Sequence, residues 1–205
     1  MRRFMFAVAS LVLSSTISAN DALPQVSQTA SPTWQETIEW LIPAFSQNAR
    51  SNRTFRCYGR GGTPIVRKYS DSAEIAKYYY STPSGITDLD LKMRFRDSDS
   101  ENGDTDEEDN VRLPLNTLSP DISVNKHDLI TSSPCSWDRS AFYEVFIAST
   151  DRKKTITYLD ANATDKYVST ITIEFSDESM AKRCASALSH LIVLAGGKTT
   201  KPPPF

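Results

Sequence analysis

Two histidines, His127 and His190, are the side chains of this chain that ordinarily act as bases near neutral pH. A nucleophilic hydrolase needs such a base within reach of a serine, a cysteine or a carboxylate. His127 is followed directly by Asp128, and two serines come shortly after it. The sequence lacks G-x-S-x-G, the turn that carries the nucleophile of many serine hydrolases. His127 and Asp128 are therefore candidate catalytic residues for a small-hydrolase alternative, and the sequence otherwise predicts no catalytic set and no cofactor.

An acidic segment is the most conspicuous candidate for a metal site. Residues 97–109 carry eight acidic side chains and no basic one. Asp97, Asp99 and Glu101 alternate along it and could offer the hard oxygens that calcium prefers. An EF-hand loop beginning at Asp97 would need glycine at its sixth position, which holds Asn102. Because runs of like charge usually repel and stay solvated, we predict a mobile hairpin tip and no metal, with weak cation association as the alternative.

A strand with a charged outer face precedes this segment. Apolar and charged residues alternate between Asp88 and Arg96, which is the period-two pattern of a half-buried strand. We interpret its charged face, with Lys92, Arg94 and Arg96, as a binding surface. A groove beside Trp40, whose ring lies off the apolar stripe of the first predicted helix, is the second candidate. Five arginines surround the first strands: Arg50, Arg53, Arg56, Arg60 and Arg67. These arginines either form an anion-facing patch or only keep the surface soluble.

Three cysteines divide into a candidate pair and a single thiol. Cys184 lies on the apolar stripe of the last predicted helix, which predicts a buried thiol. Cys57 and Cys135 are the favoured disulfide pair, although the sequence alone leaves the connectivity open. Their spacing fits no zinc motif. A disulfide is chemically permissible if the chain is exported.

The first residues are typical of a secretory signal peptide. Arg2 and Arg3 precede an apolar run, Phe4 to Leu13, and small residues follow it at Ser18-Ala19. We predict a signal peptide at 1–19, a flexible lead-in at 20–30, a single domain at 31–197 and an extended tail at 198–205. The apolar run is too short to span a bilayer, so we expect no transmembrane segment after signal removal and a periplasmic or secreted location.

The rest of the chain predicts a sheet flanked by two helices. Thr33 and Glu36 form a capping-box pattern, and Pro43 is expected to kink or end this first helix at the preceding residue. Ser176 is the predicted N-cap of the last helix, 177–195, whose apolar residues form one stripe. We predict an α+β fold: a strongly bent antiparallel sheet or small barrel of about eight strands, with a short N-terminal helix and a long C-terminal helix packed on it.

Two segments at the ends carry a resemblance to a known group. TWQETIEWL, residues 33–41, fits a pattern W-x-E-T-x-x-W-[IL], and the segment 175–198 contains the pattern A-L-x-H-[LI]-I-x-L-x-G-G-K. In these motifs the chain resembles a family of exported bacterial proteins of unknown function. Its strand-then-helix layout is also similar to pleckstrin-homology-like domains, in which a final helix closes a small barrel. The resemblance implies no activity and supplies no catalytic residue.

The charge balance narrows the class of partner. The chain has 23 basic and 25 acidic residues, and such a balance argues against nucleic-acid binding, which needs clustered cations. We therefore predict a non-enzymatic binding or protein-interaction module of the periplasm or envelope, with a protein or small ligand as its partner. An inhibitor or immunity-type protein against an envelope enzyme is one alternative, and the small hydrolase is the other.

Overall fold

The computed structural model describes residues 31–58, 62, 64–81, 85–99, 103–159 and 165–198. The predicted signal peptide, the lead-in up to residue 30 and the tail after Lys198 lie outside the described residues. The chain divides into two compact units, Met1–Ser31 and Pro32–Phe205, and everything below concerns the second.

The described elements are two α-helices, ten strands and two short 3₁₀ turns. In chain order they are α1 (Trp34–Asn48), β1 (Arg50–Tyr58), β2 (Pro64–Ser81), β3 (Gly85–Asp99), β4 (Gly103–Pro114), β5 (Ser123–Asp128), β6 (Cys135–Trp137), β7 (Ala141–Ala148), β8 (Ile156–Leu159), β9 (Lys166–Val168), β10 (Thr170–Phe175) and α2 (Glu178–Leu194), with 3₁₀ turns at Leu115–Thr117 and Thr150–Arg152. Seven strands form one antiparallel sheet in the order β6-β1-β2-β3-β4-β8-β9. The other three form a small antiparallel sheet in the order β10-β7-β5.

The α+β fold and both terminal helices are confirmed, but the predicted small barrel is wrong. The large sheet ends at β6 and β9, and the small sheet ends at β10 and β5, so neither sheet closes on itself. The strands β6 and β9 are three residues long, which leaves too little ladder for closure. β7 takes both of its hydrogen-bonded neighbours from the small sheet, which separates the two sheets.

The helix α1 begins as predicted and continues past its expected end. The capping box between Thr33 and Glu36 is present. Pro43 does not end the helix, which runs on to Asn48. Pro43 is exposed, while the fully buried Phe45 lies beyond it, so burial of the apolar stripe outweighs one missing backbone hydrogen bond.

The observed bounds of α2 lie within one residue of the predicted ones, but its N-cap is not the predicted residue. The side chain of Asp177, rather than Ser176, accepts a hydrogen bond from Met180 N at 2.8 Å. Ser176 Oγ instead donates to the carbonyl of Arg50 at 3.0 Å. The buried face of α2, which includes Leu188 and Leu191, joins α1 and both sheets in one core. Cys184 is a buried free thiol, and burial raises its pKa to about 11.

The acidic segment is mostly strand rather than loop. β3 and β4 pair up to Asp99 and Gly103, so the acids at 104–109 lie within β4. The predicted long hairpin tip is wrong because the acids of β4 lie opposite the cations of β3, and pairs of opposite charge across a ladder stabilise it. The sequence also predicts two separate strands at 63–69 and 74–81, and this is wrong because the structure has one continuous strand, β2.

Candidate functional site

A polar cavity of about 400 Å³ lies beside the end of α1, on the outer face of β1, β2 and β3. Its lining consists of Ser46, Arg50, Asn52, Ser70, Ser72, Ala73, Glu74, Lys92 and Arg94. The cavity therefore combines hydroxyl and amide groups with three cationic side chains and one carboxylate.

Strand alternation explains why these side chains share one face. Arg50 lies opposite Ser72, which lies opposite Arg94 on the next strand, and Glu74 lies opposite Lys92. Side chains two residues apart on a strand point to the same side of the sheet. Each of the three strands therefore contributes at least two side chains to the cavity: Arg50 and Asn52, Ser70 and Ser72, and Lys92 and Arg94. Within the lining of the cavity, Ser70 Oγ donates to Asn52 Oδ1 at 2.7 Å.

The cations of the cavity are paired with a carboxylate at its margin. Glu108 on β4 accepts from Lys92 Nζ at 2.9 Å and from Arg94 Nη2 at 2.8 Å. The hydrogen bonds from Lys92 and then Arg94 lower the pKa of Glu108, so it stays ionised at neutral pH. All three side chains are at least one-third exposed, and ion pairs that are exposed to solvent contribute little to stability. A bound anion can therefore compete with Glu108 for both cations.

Two of the three predicted binding cations line this cavity, and the third does not. Lys92 and Arg94 face it, whereas Arg96 lies further along β3 with its Nη2 atom 3.8 Å from Asp104 Oδ2. Sequence reasoning named Arg50 only as one of five arginines. It missed Ser70 and Ser72, because it placed a break between two strands where the structure has one continuous strand. The period-two run of serines was the signal that could have found them.

The predicted groove beside Trp40 is a second concave surface, between α1 and α2. It encloses about 490 Å³ and is largely apolar. Its lining consists of Pro32, Glu36, Thr37, Trp40, Arg183, Ser186, Ala187 and His190. The Arg183 guanidinium lies 5.1 Å from the Trp40 ring centre, and the His190 Nε2 atom lies 2.7 Å from the carbonyl oxygen of Pro32. Arg183 and His190 thus already have partners within the fold.

The side chains of His127 and Asp128 lie on opposite sides of β5. His127 Nε2 lies 2.8 Å from Glu144 Oε2, while Asp128 pairs with Lys126 at 2.5 Å. Neighbouring residues of a strand point to opposite faces, which separates the two side chains. Within the described residues, no hydrogen bond joins His127 to a serine. The geometry therefore gives His127 a carboxylate partner but no nucleophile.

The acids proposed for weak cation association are not assembled into a site. Asp99 pairs with Arg67 at 2.9 Å, Asp97 lies two residues before it on β3, and Glu101 lies outside the described residues. In the part of the chain that is described, no three His, Cys, Asp or Glu side chains are grouped so as to hold a metal ion.

Cys57 and Cys135 are joined by a disulfide. They lie directly opposite each other where β1 pairs with β6, at a sequence separation of 78 residues. The bond ties the short edge strand β6 to the large sheet, away from the cavity.

Comparison with known proteins identifies no relative of this chain. The chain matches no protein-family model, no curated protein and no solved structure. The resemblance to an exported bacterial family therefore stays a prediction. Neither helix in the described residues combines the length and the apolar character needed to cross a membrane.

Proposed function

We propose that the protein is a non-enzymatic binding protein of the bacterial envelope, and that the polar cavity receives the anionic group of a small ligand. The observation that carries this proposal is the convergence of Arg50, Lys92 and Arg94 on one cavity with a single lining carboxylate, Glu74. With Glu74 in the lining and Glu108 at its margin counted against the three cations, one net positive charge remains.

The chemistry of the lining suits a phosphate or carboxylate group. Guanidinium and ammonium donors form their strongest hydrogen bonds with such oxyanions. The hydroxyl of Ser72 adds a neutral donor to the lining. Ligand pockets typically enclose about 300–1,000 Å³, and this cavity lies within that range.

The disulfide between Cys57 and Cys135 supports a location outside the cytoplasm, because such bonds persist in oxidising compartments. A periplasmic or secreted protein remains the proposal. It rests equally on residues 1–19, whose pattern is that of a signal peptide and which lie outside the described part of the chain.

Calorimetric titration at low salt tests the proposal, with inorganic phosphate and citrate as probes. We expect saturable binding of at least one probe that weakens as salt is added, because exposed charges are screened. Arg94→Ala should weaken binding about tenfold, the effect of losing roughly 1.4 kcal/mol. Arg96→Ala is the matched control, because Arg96 lies on the same face of the same strand but outside the cavity. Its effect should stay within about twofold, since surface substitutions away from a site cost little.

Two results would overturn this assignment. Absence of binding by both probes would remove the anion site. Equal losses in Arg94→Ala and Arg96→Ala would show a diffuse charge effect instead of a cavity. The second result would favour the inhibitor-type alternative, in which a partner protein reads the whole charged row of β3, Lys92, Arg94 and Arg96.

The hydrolase alternative has no comparable geometric basis. His127 contacts Glu144, and Asp128 faces the other side of β5. A general base must lie within hydrogen-bonding reach of the proton that it takes, and neither residue lines either of the two cavities described above.

A further inference from the structure

A buried ion cluster lies where the inner face of the large sheet meets the small sheet. Arg53 on β1 places its Nη2 atom 2.7 Å from Asp71 Oδ2 on β2. The same nitrogen lies 3.1 Å from Glu174 Oε2 on β10. The three side chains are only 14–18% exposed. One guanidinium nitrogen of the large sheet thus contacts one carboxyl group from each sheet, and its contact with Glu174 links the two.

Aromatic rings fix the position of the guanidinium. The Arg53 guanidinium carbon lies 4.2 Å from the Phe142 ring centre and 5.6 Å from that of Tyr69. The ring of His127 stacks on that of Phe142, with the ring centres 5.0 Å apart. The packing against these rings holds the single positive charge of Arg53 beside the two carboxyl groups.

The cluster contains more negative than positive charge if both carboxyl groups are ionised. Asp71 and Glu174 both contact the same Arg53 nitrogen, at 2.7 and 3.1 Å, and two carboxylates in one low-dielectric site resist double ionisation. Glu174 Oε2 lies near Arg53 but makes no well-aligned hydrogen bond, and the buried Ser51 Oγ beside it has no partner among the described residues. One proton on this pair would balance the charge and complete the hydrogen bonding.

We propose that Glu174, which contacts the same Arg53 nitrogen as Asp71, holds a proton near neutral pH, and that this proton makes the contact between the two sheets a pH-sensitive latch. With the proton bound, one positive and one negative charge remain, and the sheets are held together. When the proton leaves, a buried negative charge has no counter-ion, and the contact weakens. The latch involves no ligand, so it stands independently of the proposed anion site.

Charged side chains from both sheets lie close to Glu174. On the small sheet, Glu144 of β7 lies directly opposite Glu174, and its carboxylate is engaged by His127 of β5 at 2.8 Å. The large sheet contributes Arg53 from β1 and Asp71 from β2. Because the His127–Glu144 pair lies beside Glu174, an experiment has to separate its effect from that of Glu174.

The direction of the pH effect follows from the charge balance. Burial, and then the charge of Asp71, raise the pKa of Glu174 from its ordinary 4.5 to about 7, against the opposing charge of Arg53. A raised pKa in the folded state means that the stabilising contribution of Glu174 is complete below about pH 4.5. It is lost as the pH rises to about 7. The unfolding equilibrium constant should increase roughly 100-fold across this window because of this group.

Urea unfolding at a series of pH values from acid to mildly alkaline, followed by tryptophan fluorescence, tests the latch. Wild type should lose stability across the window, and Glu174→Gln should abolish that loss because its amide cannot ionise. Asp71→Asn should move the window to lower pH, because Glu174 then faces Arg53 alone. His127→Gln is the control and should keep the wild-type window, which assigns the effect to the carboxyl pair.

A loss of stability that persists in Glu174→Gln, or that vanishes in His127→Gln, would overturn the proposal. If a variant fails to fold, the wild-type protein still decides the matter. A carbon-13 NMR titration of its side-chain carboxyls should show one glutamate that titrates close to pH 7. A spectrum in which every carboxyl titrates in its ordinary acidic range would exclude the latch.

Discussion

Pro43 tests how far tertiary packing overrides local helix preference in α1. Proline has no backbone N–H to donate to the carbonyl of Glu39, and its ring crowds that carbonyl. Both residues are exposed, so alanine at position 43 opens no cavity. Pro43→Ala should therefore add one helix hydrogen bond and leave the buried stripe of α1 intact.

The expected gain follows from two opposing effects. Proline in a helix interior is about 3 kcal/mol less favourable than alanine. Its removal also frees the unfolded chain, which costs roughly 0.4–1 kcal/mol. We expect the free energy of unfolding to rise by about 2 kcal/mol, which corresponds to roughly 4–8 °C in Tm for a domain of this size.

Urea unfolding followed by tryptophan fluorescence and by circular dichroism measures this gain. Trp34 and Trp40 lie on α1 and Trp137 lies on β6, so fluorescence reports on the helix and on the edge of the large sheet, while far-ultraviolet dichroism reports on the secondary structure of the whole fold. Gln47→Ala, at another exposed position of α1, is the control and should change stability by no more than about 0.5 kcal/mol. If Pro43→Ala were neutral or destabilising, α1 would need the bend that proline imposes, and the packing explanation would be refuted.

Two further substitutions test the core and the disulfide. Phe45→Ala should lower the free energy of unfolding by about 3–5 kcal/mol in the same urea assay, because a fully buried ring is lost; a loss under 1 kcal/mol would contradict its place in the core. Phe45 also packs edge-on against Phe175 of β10, with ring centres 5.9 Å apart, so the loss should be shared by both sheets and give one cooperative transition. Replacing both Cys57 and Cys135 with serine should cost about 2–4 kcal/mol under oxidising conditions, and no difference from wild type would mean that the bond does not form.

Local patterns were reliable where one face of an element is buried along its whole length. The alternation around Leu91 and Met93 predicts a strand, and both residues are buried in β3. The stripe through Leu188 and Leu191 predicts α2 with bounds within a residue of those observed. In both cases the apolar residues whose burial stabilises the element recur along the sequence with the period of that element.

Local patterns failed where a distant partner decides the outcome. The acids of 104–109 repel one another as an isolated segment, and they become a strand because Arg94 lies opposite Glu108 and Arg96 lies opposite Asp106. Pro43 is a helix breaker in isolation, and its helix continues because Phe45 beyond it is buried against other elements. Each error came from an interaction between residues that local reasoning treats separately.

The candidate sites divide in the same way. The sequence identified Lys92 and Arg94 as exposed cations, since strand period alone sets the face on which they lie. It could not show that Arg50 joins them, because this depends on the register between β1 and β2.

The sequence by itself determined the α+β class, the two terminal helices and the charged face of β3, since these follow from periodicity and capping within short segments. Only the tertiary structure decided that there are two open sheets, that three cations meet at one cavity, and that Arg53 stands between Asp71 and Glu174. Those features depend on strand order and on side chains that meet across more than a hundred residues of chain, as Arg53 and Glu174 do. The physical reason is that charge and hydrogen-bond energies depend on distance in space, which local sequence spacing does not specify.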